Sequence, residues 1–439
     1  MKYITSLRAL LPALLLFFTV TACEIDDQTD PNGPSINSVL NNASQAELNL
    51  LASGIEAGIR NGFDTYVTAS GSIARELYIF DADPRNTEDL LGKEDAVLDG
   101  NTFYITAPFG SRYRVVKNAN LLLQAVDNTD AVSGAEADGY RGYANTMKAF
   151  MLAQVLDLLG DNGVRVDVAD PNNLGPYLNR EQGYDAIFEL FDLGFQQLSG
   201  AEFAFSLSTG FAGYDTPATF AQVNRALAAR YATRAGRYEL ALDYLDDSFF
   251  DLDGDLSAGP QHVFGTASGD ILNPLFKAPG QSGDQIIVHP RIIDGLREGD
   301  SRAEKFRRRV ESTTQDGLTS DFETGLYESA TSPIDIIRNE ELVIIWAEAN
   351  LQTGDLDEAV QGLNVVAGAA GLDDFDGDDD DRDALIDELI YQRTYSLWGE
   401  GHQMFDLRRY GRLNSNFLPI DRAGDDIFTQ FPIPISEGV

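Results

Sequence analysis

Apolar side chains recur along much of this chain at three- and four-residue intervals. Leu48, Leu51, Ile55 and Ile59 follow that spacing, as do Met147, Met151, Val155 and Leu158, and then Ile187, Leu190, Phe191 and Leu198. A period near 3.6 places each set on one face of a helix, so the chain is predicted to be mainly α, helix packed on helix. Two stretches resemble each other when Gly236 and Gly354 are aligned: Ala228, Ala229, Tyr238 and Ala241 fall against Ala347, Leu356 and Ala359. Small residues let two helices approach, and the glycine makes the turn between them. The run Trp346 to Val360 is close to a tetratricopeptide-like helix hairpin, and an ordinary αα-hairpin uses the same geometry.

Long segments rich in Gly, Pro, Asp and Ser separate the helical pairs: Asp161 to Pro176, Gly200 to Pro217, Asp251 to Gly283 and Glu311 to Pro333. Irregular stretches of this length inside a folded protein usually carry function. The simplest arrangement is one helical platform with a loop-rich, ligand-binding face. No linker splits residues 35–439, which are read as a single domain.

The first residues change the picture. Lys2 and Arg8 precede an apolar stretch from Ala9 to Val20, too short for a permanent membrane span, and Val20, Thr21 and Ala22 lead into Cys23. This resembles the lipobox of a lipoprotein signal peptide, residues 1–22, with lipidation expected on Cys23, the 1 Cys of the chain. Residues 23–34, acidic and polar with Pro31, Gly33 and Pro34, read as a flexible tether. Membrane attachment is expected through that N-terminal lipid alone, because no later apolar run reaches the roughly 18 residues a spanning helix needs. Loss of residues 1–22 would remove two bases and no acid, moving the formal charge from −38 to about −40. Such a surface repels nucleic acid and anionic lipid. Hydrophobic and aromatic contents of 43% and 10% are those of a folded globular protein.

Familiar catalytic chemistry is missing. His262, His289 and His402 are scattered, with no zinc spacing and no nucleophilic triad, and no Gly-rich phosphate loop follows an apolar strand. No metal or other cofactor is expected, with an irregular structural Ca²⁺ site left open. The runs Asp251 to Asp255 and Asp373 to Asp381 are acidic, but Phe249 and Leu372 stand where an EF-hand loop needs its first acid. Aromatic residues beside polar or turn residues are Tyr78, Phe80, Phe103, Tyr104, Phe109, Phe322 and Tyr327. An exposed ring there would stack on a sugar or a peptide side chain. The ligand-binding candidates are Phe103, Tyr104 and Phe109 in the N-terminal half and Phe322 and Tyr327 before Pro333. The loops from Asp251 to Gly283 are the next place to look.

Several motifs then line up in one order. They are Ile337, Arg338, Asn339, Glu340, Glu341 and Leu342; Trp346, Ala347, Glu348, Ala349 and Asn350; Gly354 and Ala359; Leu363 and Asn364. A second group is Arg393, Leu397, Glu400, Gly401, Phe405, Asp406, Leu407, Arg408, Arg409 and Gly411, closing on Phe431, Pro432, Ile433, Pro434 and Glu437. Weaker echoes are Tyr113 to Asn120, Ala149 to Gly163, and Asp300 with Arg302. In these the chain resembles the SusD/RagB family of outer-membrane nutrient-binding lipoproteins, as a divergent member: Ser396 and Gln403 stand where the family usually has Glu and Arg, and Ala367 and Ala369 replace arginines.

The resemblance implies a helical fold with four tetratricopeptide-like hairpins and no catalytic activity. It implies a lipid-anchored protein on the outer membrane facing the cell exterior, with Glu24, Asp26 and Asp27 resembling the export signal. Its partners would be a SusC-type TonB-dependent outer-membrane transporter, over which it closes as a lid, and an oligosaccharide or peptide ligand. Two alternatives come from other classes: a cell-surface hydrolase with a carboxylate pair, and a helical-repeat protein-interaction scaffold.

Overall fold

Each periodic stretch forms a helix, and polar residues at its ends fix where it begins. In the computed structural model, which describes residues 36–438, the chain starts with α1 (Ile36–Asn42), α2 (Gln45–Gly58) and α3 (Phe63–Ile73). After β1 (Leu77–Phe80) come α4 (Phe103–Asp127), α5 (Ala135–Leu159), α6 (Arg180–Leu198), α7 (Pro217–Arg234) and α8 (Tyr238–Asp246). Ser44 and Glu47 close a capping box on α2, as Asn179 and Gln182 do on α6, and Thr216 and Thr219 on α7. Each box satisfies backbone N–H groups that the first helical turn leaves unpaired.

Consecutive helices pack in sequence: α4 on α5, α5 on α6, α6 on α7, and α7 on α8. At the α5–α6 crossing a Cβ on Gly142 would lie 3.0 Å from the Gly194 carbonyl oxygen, and one on Gly194 would lie 3.1 Å from that of Gly142. Only glycine at both positions allows the backbones to come this close. The second half adds α9 (Pro290–Asp294), α10 (Asn339–Thr353), α11 (Leu356–Ala369), α12 (Arg382–Ser396) and α13 (Gln403–Arg409). The predicted hairpin turns are there, with left-handed φ of 74° at Gly236 and 103° at Gly354. Among the described residues no helix is long and apolar enough to cross a membrane.

The segment Glu311–Pro333 corrects an expectation. Instead of a loop, most of it belongs to a hairpin of β4 (Phe306–Gln315) and β5 (Leu318–Thr324), turned by Asp316 and Gly317, both at positive φ. With β1 and β3 (Gln285–Val288) it makes a four-stranded antiparallel sheet in the order β1-β3-β5-β4, in which Leu77 faces Val288 and Ile287 faces Glu323. A second, two-stranded ladder pairs β2 (Gln261–His262) with β6 (Ile334–Asp335).

The motif residues after β6 form buried ion pairs that tie the late helices together. The Arg338 guanidinium meets Glu340 at 2.6 Å and Glu400 at 2.5 Å, and donates to the Ser396 carbonyl oxygen at 2.7 Å. Arg393 pairs with Asp406 at 2.7 Å, and Arg409 with Glu348 at 2.7 Å. Ser396 and Gln403 have separate partners: the Ser396 hydroxyl accepts from Arg302 at 2.9 Å, while Gln403 donates to Thr394 at 3.1 Å. Buried charges are costly unless paired and hydrogen-bonded in this way, so the motif holds the helices in register.

Candidate functional site

The polar back of α2 faces a cleft. Leu48, Ala52 and Ile55 point into the core, which leaves Ser53, Glu56, Ala57 and the following Arg60 along the opposite stripe, spaced three and four residues apart. Across from them run two of the irregular segments. Ser206, Leu207, Ser208 and Phe211 come from the loop before α7, and Val263, Ser268, Gly269 and Asp270 from the loop after β2. Gln261 and His262 of β2 complete a space of about 470 Å³, within the range of roughly 300–1,000 Å³ typical of small-molecule sites.

Backbone contacts hold this arrangement. A Cβ on Gly210 would lie 2.1 Å from the Gln261 carbonyl oxygen, so the loop lies directly on β2 only because that residue is glycine. The two Glu56 carboxylate oxygens accept from the Ser208 N–H at 3.2 and 3.1 Å. Arg60 donates to the Val263 carbonyl oxygen at 2.5 Å and to Asp270 at 2.7 Å. The Ile271 N–H and the Arg60 guanidinium hold the Asp270 carboxyl below its ordinary range. β2 is fixed in turn by β6: Gln261 donates to Asp335 at 2.7 Å, and the Ile336 N–H donates to the Pro260 carbonyl oxygen at 2.9 Å. The residues just before the motif at Ile337 therefore hold β2 in place.

His262 is 4% exposed and forms part of the cleft wall. Its ring packs on Phe63 at 5.3 Å, and its nitrogens make no hydrogen bond to any described residue. The other two histidines differ. His289 Nδ1 accepts from the Arg291 N–H at 3.1 Å, so Nε2 carries the proton and donates to Asp421 at 2.8 Å. His402 Nδ1 accepts from Arg234 at 3.1 Å. Burial, reinforced by Arg112, Arg60 and Arg230, pushes His262 down to about 3, which keeps it neutral. On its far side lies a water-sized buried space bordered by Arg230, Arg234, Asp335, Glu341, Glu400 and His402.

None of the five aromatic candidates lines the cleft. Tyr104 is 0% exposed; its hydroxyl accepts from the Asp99 N–H at 2.6 Å and donates to Asp89 at 3.1 Å. Phe109 is 5% exposed and packs on Tyr113. Phe103 and Phe322 are half-buried, with Arg85 and Arg308 over their rings at 5.1 and 6.0 Å. Tyr327 packs against the main core, and Tyr78 and Phe80 are buried in β1. Tyr104, Phe109, Tyr78 and Phe80 border polar sequence but sit on a helix or strand whose inner face is core. Cys23, the signal peptide and the tether lie outside the described residues.

Sequence reasoning missed Ser53, Glu56 and Arg60; Ser206 and Ser208 lie in the irregular segment Gly200 to Pro217, and Gln261, His262 and Asp270 in the loops from Asp251 to Gly283, which it singled out as segments without naming these side chains. One available signal was the polar stripe on the back of α2; another was a histidine inside a Gly- and Ser-rich segment. Among the described residues no group of three or more His, Cys, Asp or Glu side chains is placed to hold a metal ion. The acidic runs bind their own backbone instead: Asp251 accepts from Asp253 N–H, and Asp381 caps α12.

Residues 313–433 match the sequence model of the SusD family. No curated protein matches the chain by sequence. Solved structures do resemble it. A SusD superfamily protein from Bacteroides vulgatus superposes with a TM-score of 0.68 at 15% identity, covering 90% of this chain and 96% of that one. Surface glycan-binding protein A from Bacteroides thetaiotaomicron gives 0.69 at 15% identity, covering 90% and 96%. Its complex with laminarihexaose gives 0.65 at 15% identity, covering 90% and 97%.

Proposed function

We infer, from a chain that has the SusD-superfamily fold along nearly its whole length, that it is a non-catalytic surface lipoprotein which captures an oligosaccharide and hands it to a TonB-dependent transporter. The observation that carries this is the cleft: a space of about 470 Å³ on that scaffold, walled by loops and offering both hydrogen-bond donors and acceptors. Hydroxyl-rich ligands need such a mixture, because every sugar hydroxyl both donates and accepts. The solved complex of surface glycan-binding protein A with laminarihexaose, which shares the fold, supports a glycan over a peptide.

Binding without turnover fits the two carboxylates of the cleft. Asp270 is held ionised by Arg60 and the Ile271 N–H, which disqualifies it as a general acid, and Glu56 is spent on the Ser208 N–H. Delivery requires a retained position at the membrane, for which Cys23 is the proposed anchor. The lid role needs the ligand to leave again, so affinity is expected to be modest.

The test is an oligosaccharide array followed by titration calorimetry, with chromatography of each bound glycan after prolonged incubation. Binding with unchanged glycan is the expected result. Shortened products would replace the binding reading with hydrolysis, and selective capture of peptides would replace the glycan.

A further inference from the structure

We propose that the cleft accepts an uncharged, hydroxyl-bearing unit and that His262 is the side chain that reads one of its hydroxyls. The proposal rests on the glycan-binding reading and narrows it to a charge class and a residue. A buried polar ring left without a hydrogen bond carries a desolvation cost. Of the three histidines only His262 makes no hydrogen bond to a described residue; its nitrogens are not among the fully buried unpaired atoms, so they stay open to a partner, and the ring lines the cleft.

A neutral imidazole presents one N–H donor and one bare nitrogen acceptor. A hydroxyl satisfies either nitrogen, whichever tautomer is present. A carboxylate can only accept, and it would lie against Glu56 and Asp270, whose two charges exceed the single charge of Arg60 in the lining. An ammonium can only donate, and the histidine is surrounded by the positive fields of Arg60, Arg112 and Arg230. An anion is therefore disfavoured by the net charge of the lining, and a cation by the field at the histidine itself. Its aromatic residue, Phe211, is 1% exposed, so it offers no open ring for a sugar face to stack on. Hydrogen bonds from Arg60, Gln261, His262 and the serine hydroxyls must then carry selection.

The experiment compares neutral hexaoses such as laminarihexaose with oligogalacturonates and oligoglucosamines on one array, using the purified protein. Neutral glycans should bind, and charged ones should bind at least about tenfold more weakly. His262→Phe should then weaken the best neutral glycan by roughly three- to tenfold with an unchanged Tm, while His262→Gln, which keeps a donor and an acceptor, should recover most of the loss. Preference for a uronate or an amino sugar overturns the proposal and leaves the glycan reading standing. Failure of every glycan removes that reading, and this proposal with it. Should His262→Phe fail to fold, Glu56→Gln and Asp270→Asn decide the charge argument: each should raise binding of uronates relative to neutral chains, and no change in that ratio overturns it.

Discussion

Glu76 is a carboxyl buried to 1% exposure, with Oε1 accepting from the Gly399 N–H at 2.8 Å and Oε2 unpaired among the described residues. Burial lifts it from 4.5 to about 7. The folded chain therefore holds this proton more tightly than the unfolded chain. Its contribution to stability is complete below pH 4.5 and falls away as pH rises through 7, by roughly 3 kcal/mol in all. Glu76→Gln should flatten that part of the stability curve. Thermal melts of both forms between pH 5 and 8 check it: the Tm difference should widen in the variant's favour with rising pH. His262 predicts the opposite kind of result. It faces Arg60, Arg112 and Arg230, with Glu56 and Asp270 across the cleft and Asp335, Glu341, Glu400 and His402 behind, and it stays neutral far below neutrality. Binding of a neutral glycan should then change less than about twofold between pH 5 and 8. A steep fall at pH 5 would show a charge entering the site. At this scale the sequence misleads: Tyr104 and Phe109 border polar residues just as an exposed ring would, and only packing tells them apart.

Helices were legible where strands were not, and the physical reason is the pattern each one needs. The helices carry an apolar stripe at 3.6-residue spacing because one face meets the core. β4, Phe306–Gln315, buries only its first residue; of the remainder one face is part-buried and the other exposed, but nearly all of it is polar, so it has no hydrophobic alternation to read. The Asp316–Gly317 pair was the one hairpin signal within that polar run. The glycine-turned pair α10–α11 was read correctly, and it yields a prediction. Ala359 is 0% exposed, and one turn further along α11 the Cα of Gly362 lies against Ala347 and Trp346. Ala359→Phe must force these helices apart, at a cost of about 1–3 kcal/mol. An unchanged denaturation midpoint would show that the contact yields freely.

For the molecule as a whole, the C-terminal motifs were the legible part, since residues 313–433 carry the family pattern. The echoes at Tyr113 to Asn120 and Ala149 to Gly163 lie outside that match, and there the likeness is one of fold alone. The cleft was legible only in part: the irregular segments Gly200 to Pro217 and Asp251 to Gly283 stood out, but no local pattern brings them together with α2. The proposed attachment through Cys23 makes its own prediction: Cys23→Ser should move the protein from the membrane pellet to the soluble fraction. Retention in the pellet would point to another anchor. The acidic surface, with a formal charge of −38, implies little affinity for anionic vesicles at any salt concentration.

The dependence of β2 on β6 has a consequence for the chain in transit. α2 and the loop before α7 are synthesised early, but Gln261 and His262 have nothing to pair with until Ile334 and Asp335 arrive. Loop closure over so long a separation makes this contact a late one. A chain still being made thus has no finished cleft until β6 is in place. A chain shortened before β6 should keep much of its helix content while losing the cleft.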